Sequence, residues 1–174
     1  MSRMIKKQLH IVDGIKFSTK GEMFVVSNEH GSVEINLNKM ASISTENGLE
    51  FKSLVKKDDG MLGTIYVLVK NAMNDLKNGV SAKLKMVGVG FKACVTGKFL
   101  RVYVGLSHDI FFAIPSDLTV EVSNDVDIVV KGYNRCSVMR FARMVRDIKK
   151  PEPYKCKGIF LNDEKVIKKE GKKK

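Results

Sequence analysis

Cysteine, histidine and proline are scarce in this chain, and each scarcity excludes something. The three cysteines, Cys94, Cys136 and Cys156, form no CxxC pair and are odd in number. They read as reduced thiols in an intracellular protein, not as a disulfide framework. His10, His30 and His108 stand far apart without ligand spacing, so no zinc site is expected. No apolar run approaches the roughly 18 residues that could span a bilayer. The basic start Met1-Ser2-Arg3-Met4-Ile5-Lys6-Lys7 leads into no apolar signal core, and it is not the serine- and arginine-rich start of a transit peptide.

Catalytic and cofactor signatures are equally thin. Ser107-His108-Asp109 carries the residue types of a hydrolytic triad, but consecutive residues in one loop cannot take up that geometry. Gly88-Val89-Gly90-Phe91-Lys92-Ala93 fits the letter of a dinucleotide fingerprint. That fingerprint needs a helix to follow, whereas Val95-Thr96-Gly97-Lys98-Phe99 continues as strand and hairpin. Its glycines suit a bulge or a close backbone approach. No enzyme activity, cofactor or metal is expected. No aromatic stacking platform of the single-strand-binding type is evident either, since Tyr154 is the lone aromatic inside the basic arm Pro151–Gly158.

What is present is positive charge with a location. The net charge is +12. Residues 1–80 carry 11 Lys/Arg against 9 Asp/Glu, residues 81–130 carry 5 against 5, and residues 131–174 carry 15 against 5. The excess in the last quarter points to a polyanionic partner. A helix is expected from about Asn134 to Lys150, ended by Pro151. At 100° per residue, Val138, Phe141, Ala142, Val145 and Ile148 share one side. Arg135, Arg140, Arg143, Arg146 and Lys150 share the other, diluted only by Asp147. Solvated helices usually mix signs so that i,i+4 pairs form. A nearly pure cationic face suits phosphate, and arginine supplies planar, bidentate donors.

Two of the chain's three prolines come next, in Pro151-Glu152-Pro153-Tyr154-Lys155-Cys156-Lys157-Gly158-Ile159. They fix φ and deny a helix. The stretch reads as an ordered arm laid along phosphate, with Gly158 freeing the backbone to come close. Tyr154 either stacks on a base or ribose or pins the arm to its own domain. The terminal Lys172, Lys173 and Lys174 offer charge without geometry.

The remainder reads as α+β. Val33, Ile35 and Leu37, then Ala82, Leu84 and Met86, then Leu118, Val120 and Val122 alternate with polar residues, as half-buried antiparallel strands do. Lys20-Gly21, His30-Gly31, Asn47-Gly48, Thr96-Gly97 and Asn124-Asp125 mark turns. Apolar residues from Met61 to Leu76 (Met61, Leu62, Ile65, Tyr66, Leu68, Val69, Ala72, Met73, Leu76) take helical spacing. Asp58 and Asp59 favour that helix's start and Gly79 its stop. Thr19-Lys20-Gly21 recurs as Thr96-Gly97-Lys98, and Asn47 as Asn124, at offsets of 77 residues (96−19, 124−47). The expectation is two duplicated domains, each an antiparallel sheet packed against one helix. They are an N-terminal α+β domain, 1–80, and a C-terminal nucleic-acid-binding one, 81–174, with a basic arm at about 151–174.

Residues 151–159 closely resemble the C-terminal signature of the bacterial-type L-six family of large-subunit ribosomal proteins. Met86-Val87-Gly88-Val89-Gly90-Phe91-Lys92-Ala93 resembles its glycine motif. Gly105-Leu106-Ser107-His108, Ile114-Pro115 and Ile128-Val129-Val130-Lys131-Gly132 also fit, as do Ser2-Arg3, Lys6-Lys7, Gly63-Thr64 and Asn71-Ala72-Met73. The resemblance covers essentially the whole chain. It departs at Cys156, where glycine or alanine is usual, and at Met4 and Gln8, where glycine and proline are usual. The first helix also lacks the basic residues often found beside Gly63-Thr64.

The resemblance implies a non-enzymatic structural protein of the large ribosomal subunit, in the cytoplasm or, for an organelle gene, in an organellar ribosome. Implied partners are large-subunit rRNA near the stalk base and sarcin–ricin region, neighbouring large-subunit proteins, and translational GTPases docking nearby. No membrane partner is implied. The expected RNA-binding residues are Lys92, Arg135, Arg140, Arg143, Arg146, Lys149, Lys150, Pro153, Tyr154, Lys155, Lys157, Gly158 and Lys172–Lys174. The alternative is a free-standing RNA-binding or translation-regulatory module.

Overall fold

The computed structural model describes residues 9, 14–37, 41–44, 49–53 and 59–171. The chain divides into two units, Met1–Gly79 and Val80–Lys174. In the first, the alternating segments pair as a meander of β1 (Lys16–Lys20), β2 (Met23–Asn28) and β3 (Gly31–Asn36). Strands β4 (Ala41–Ser44) and β5 (Glu50–Ser53) form a second antiparallel pair. Buried Leu9 bridges buried Leu49. Helix α1 (Asp59–Asn78) packs on β2, β3 and β5.

Helix α1 buries Leu62, Ile65, Tyr66, Val69, Ala72, Met73 and Leu76, an i, i+3, i+4, i+7 stripe. Met61 and Leu68, expected with these from their helical spacing, lie off the stripe and are exposed. The helix stops at Gly79, where φ is +71°. The Gly79 N–H donates to the Asp75 carbonyl at 2.9 Å, the single bond of a left-handed helix stop. Asp58, Asn47-Gly48 and the N-terminal residues Ser2-Arg3 and Lys6-Lys7 lie outside the described residues.

The second unit repeats this order. Strands β6 (Val80–Val87), β7 (Lys92–Thr96), β8 (Phe99–Tyr103), β9 (Ile110–Ala113), β10 (Leu118–Ser123) and β11 (Asp127–Gly132) precede α2 (Arg135–Asp147) and β12 (Gly158–Leu161). Strands β7-β8-β9 form a meander; the other sheet has the order β10-β11-β6-β12, antiparallel throughout. Strands β1 and β2 and helix α1 start 76 residues before β7, β8 and α2 (92−16, 99−23, 135−59). Gly21 and Gly97 turn the matching hairpins with φ of +60° each. Each unit therefore contains a meander, a hairpin and one helix, the duplicated α+β plan, and in the second unit β6 and β12 extend the β10-β11 hairpin to four strands.

The core of the second unit lies between α2 and the four-stranded sheet. Ala82, Leu84 and Met86 on β6, Ile128 and Val130 on β11, and Ile159 on β12 meet Val138, Phe141, Ala142 and Val145. Phe141 also meets Phe112 edge-on, centroids 6.2 Å apart. Each large side chain buried here contributes about 1.5–3 kcal/mol over leaving it in water.

Two boundaries differ from expectation. The second helix ends at Asp147, not Lys150; Ile148 caps it with a bond to the Val145 carbonyl. Pro151 disfavours helical geometry at Lys150, and the Lys149 carbonyl instead accepts from Ile159 N–H at 2.8 Å. The stretch expected as a basic arm, about 151–174, also contains β12. Ile159 is fully buried and pairs with Met86, so residues 158–161 belong to the sheet.

Candidate nucleic-acid interface

Asn134, in extended backbone with φ −106°, starts the basic helix. Its side-chain oxygen accepts from Cys136 N–H at 3.0 Å and Ser137 N–H at 3.5 Å, as N-caps do. With Val138, Phe141, Ala142 and Val145 anchored inward, Arg135, Arg140 and Arg143 emerge exposed. Arg140 and Arg143 have no carboxylate partner among the described residues. Lys149 and Lys150 are exposed past the helix end, and Lys150 Nζ lies 3.8 Å from Asp147 Oδ1.

Arg146 is placed differently from the other arginines. It sits near the edge of the apolar sector and is half-buried. Its Nε donates to Glu164 Oε2 at 3.2 Å, its Nη2 contacts Glu164 Oε1, and its Nη1 donates to Asp147 Oδ1 at 3.3 Å. The hydrogen bond to Glu164 raises the guanidinium's pKa, against desolvation, and Asp147 adds to the rise. The same bond holds the Glu164 carboxyl below its ordinary range. Arg146 thus ties the segment after β12 to the helix. Nothing local in the sequence announces Glu164, 18 residues away (164−146).

Residues 151–158 form a closed loop between α2 and β12. Glu152 N–H donates to the Lys157 carbonyl and Cys156 N–H to the Glu152 carbonyl, both at 2.9 Å. Lys169 N–H reaches the Pro153 carbonyl at 3.0 Å. Cys156 has φ of +53°. Gly158 is buried with φ +150°, and a β-carbon there would lie 2.6 Å from Pro151 Cα and 2.8 Å from the Lys150 carbonyl carbon. Its missing side chain serves this internal crossing of backbones, so the close approach expected toward a phosphate is made to the chain itself. The loop shows solvent the exposed Lys155 and Lys157, a half-buried Pro153, and Tyr154 at 52% exposure.

The expected site residues are therefore not all on one element. Those of α2 and the loop adjoin in sequence. Lys92 opens β7, paired with Tyr103. Lys172–Lys174 lie outside the described residues.

The remaining motifs resolve simply. After Gly88–Phe91 the chain enters β7, without a helix. Ser107 Oγ and His108 Nδ1 are 3.3 Å apart, while Asp109 accepts from Arg101 Nε at 2.6 Å, so the three side chains do not form a triad. Among the described residues no group of His, Cys, Asp and Glu could hold a metal. No helix there is long and apolar enough to cross a membrane.

One feature escaped sequence reasoning. Phe99, Tyr103 and Phe111 are exposed together on the β7-β8-β9 sheet, so an aromatic face does exist. The signal was the alternation in Phe99-Leu100-Arg101-Val102-Tyr103, with both aromatics on the side opposite the aliphatic residues.

A sequence model described as ribosomal protein L6 matches residues 87–160. The large ribosomal subunit protein uL6 of Pseudomonas putida is 34% identical over 178 aligned positions, all of both chains. That of Delftia acidovorans is 37% identical over 177 and that of Stutzerimonas stutzeri 34% over 178, again covering both chains fully.

Proposed function

Since the chain belongs to the ribosomal protein L6 family, we propose that it is a structural, non-catalytic constituent of the large ribosomal subunit. It binds large-subunit rRNA through phosphate contacts from the outer face of α2 and from loop 151–158. Its relatives are named as large-subunit proteins along their full length, and that likeness carries the reading. The charge map supports it. Arg140 and Arg143 lack carboxylate partners among the described residues, and the adjoining loop is held by its own backbone bonds before any partner arrives. Folded RNA is read by shape and phosphate, which suits cations set at fixed spacing on a packed element.

In finer detail, the rRNA contacted lies near the stalk base and the sarcin–ricin region, among neighbouring ribosomal proteins, where translational GTPases dock. The family resemblance supports that placement, in ribosomes of the cytoplasm. Arg135, Arg140, Arg143, Lys149, Lys150, Tyr154, Lys155 and Lys157 make the contacts, with Lys92 contributing from β7. Arg146, Pro153 and Gly158 hold the geometry. The test is sedimentation of the tagged protein through a ribosome gradient, followed by crosslink mapping. Stoichiometric recovery with the large subunit, crosslinked through the α2 face, is expected. Recovery at the top of the gradient would instead favour a free-standing RNA-binding regulator.

A further inference from the structure

The three-stranded sheet β7-β8-β9 turns one face to the core of its unit; register defines the other. Lys92 pairs with Tyr103, Cys94 with Arg101 and Thr96 with Phe99. Arg101 pairs in turn with Phe111, and Phe99 with Ala113. Directly opposite residues share a face. Phe99, Tyr103 and Phe111 therefore stand on one surface, 49%, 44% and 58% exposed, while Leu100 and Val102 are fully buried behind them. Arg101 lies among the rings, its guanidinium carbon 5.7 Å from the Phe111 centroid.

We propose that this face is a stacking platform for unpaired rRNA nucleotides, distinct from the phosphate-binding surface of α2 and its loop. The proposal rests on the ribosomal reading above and extends it to a second kind of contact. Single exposed rings are ordinary, but three on one sheet face around an arginine make a patch. The residues between the rings are small: Cys94, Thr96 and Ala113. No leucine, isoleucine or methionine shares the face, so the aliphatic filling of a protein-docking core is missing. Flat rings and a flat guanidinium match the π-faces of bases, which stack in a sequence-tolerant way.

Lys92 places one cation on this face, while Arg101 keeps its planar guanidinium among the rings and is ion-paired with Asp109. Beside Tyr103 the surface hollows into a cavity of about 600 Å³, lined among others by Lys92, Arg101, Asp109 and Asp125, within the size range of small-ligand sites. Its Asp125 carboxylate suits a ribose hydroxyl or a base amino group, while Lys92 suits the phosphate.

The test uses the full chain and fluorescence anisotropy with two probes, a short single-stranded oligoadenylate and an RNA hairpin stem. Phe99→Ala with Phe111→Ala should weaken oligoadenylate binding by about tenfold or more, leaving stem affinity and salt slope unchanged. Phe99→Leu with Phe111→Leu should be as weak, because leucine keeps apolar area and loses the π-face. Arg140→Glu with Arg143→Glu should do the reverse: weaker stem binding, a flatter salt slope and oligoadenylate binding retained. Circular dichroism checks each fold. Wild-type affinity for oligoadenylate in the alanine pair overturns the platform, and so does its restoration by leucine, which would mark a protein-docking surface. Neither result touches the helix arm of the experiment, where an unchanged stem affinity would instead count against the phosphate-binding reading.

Discussion

Gly158 and Pro151 cross at backbone contact: a β-carbon on the glycine would lie 2.6 Å from Pro151 Cα and 2.7 Å from its nitrogen. Both atoms belong to a ring-constrained backbone, so neither can swing aside as a flexible side chain would. The contact joins the end of the basic helix to β12, and the exposed lysines of the intervening loop take their positions from it.

Gly158→Val is therefore expected to destabilise the protein by about 2–4 kcal/mol, the range in which strain and overpacking combine. Chemical denaturation of wild type and variant measures it. Incorporation into large-subunit gradient peaks should fall further than on deletion of residues 172–174. A larger defect from the deletion would mean that bulk charge, and not this loop, holds the protein to RNA.

Arg140→Glu with Arg143→Glu should leave stability within about 0.5 kcal/mol, since both side chains are exposed. Binding to an rRNA fragment should weaken, and the slope of log affinity against log salt should flatten by about 0.7–0.9 for each phosphate no longer neutralised by an arginine. Filter binding across a salt series reads both quantities.

The Arg146–Glu164 pair gives stability a defined acid limit. Glu164's pKa is depressed in the fold, first by the hydrogen bond from Arg146. Its contribution is thus complete above the ordinary glutamate value of about 4.3 and is lost as pH falls through the lower folded value. Both partners are partly exposed, so the effect is about 1 kcal/mol or less. Glu164→Gln should be less stable than wild type at pH 7, and the difference should shrink toward pH 2 in a series of urea melts.

Cys156 sits at φ +53°, a region that costs an L-residue roughly 1–2 kcal/mol. Cys156→Gly relieves that strain but adds chain entropy to the unfolded state. A net gain of about 0.5–1 kcal/mol in denaturant stability is expected, and a loss would show that the thiol's packing outweighs the strain.

Local periodicity made much of the fold legible. The alternation of Ala82, Leu84 and Met86, the stripe of Val138, Phe141, Ala142 and Val145, and the repeated turn at Gly21 and Gly97 each state a burial pattern in neighbouring residues. Features requiring distant partners were not legible. Strand β12 is four residues long and gains its identity only by pairing with β6. Glu164 reaches Arg146 across a loop and a strand, which turns one expected phosphate ligand into an internal brace. The outward rings of Phe99 and Tyr103 carried a readable alternation, but Phe111 joins them only through the β8–β9 register.

Strand β12 also sets an order of events on the growing chain. Its partner β6 is the first strand of the unit, and the closest paired residues, Val87 and Gly158, are 71 positions apart (158−87). Until that last strand emerges, one flank of β6 carries unpaired peptide groups, an invitation to wrong partners. Such distant pairing also slows folding. Because the basic loop is pinned at its far end by β12, its lysines take their final spacing only when the sheet closes. The finished charged surface thus depends on a pairing between the first and last described strands of the unit, and any change that loosens β12 from β6 also loosens the spacing of the lysines.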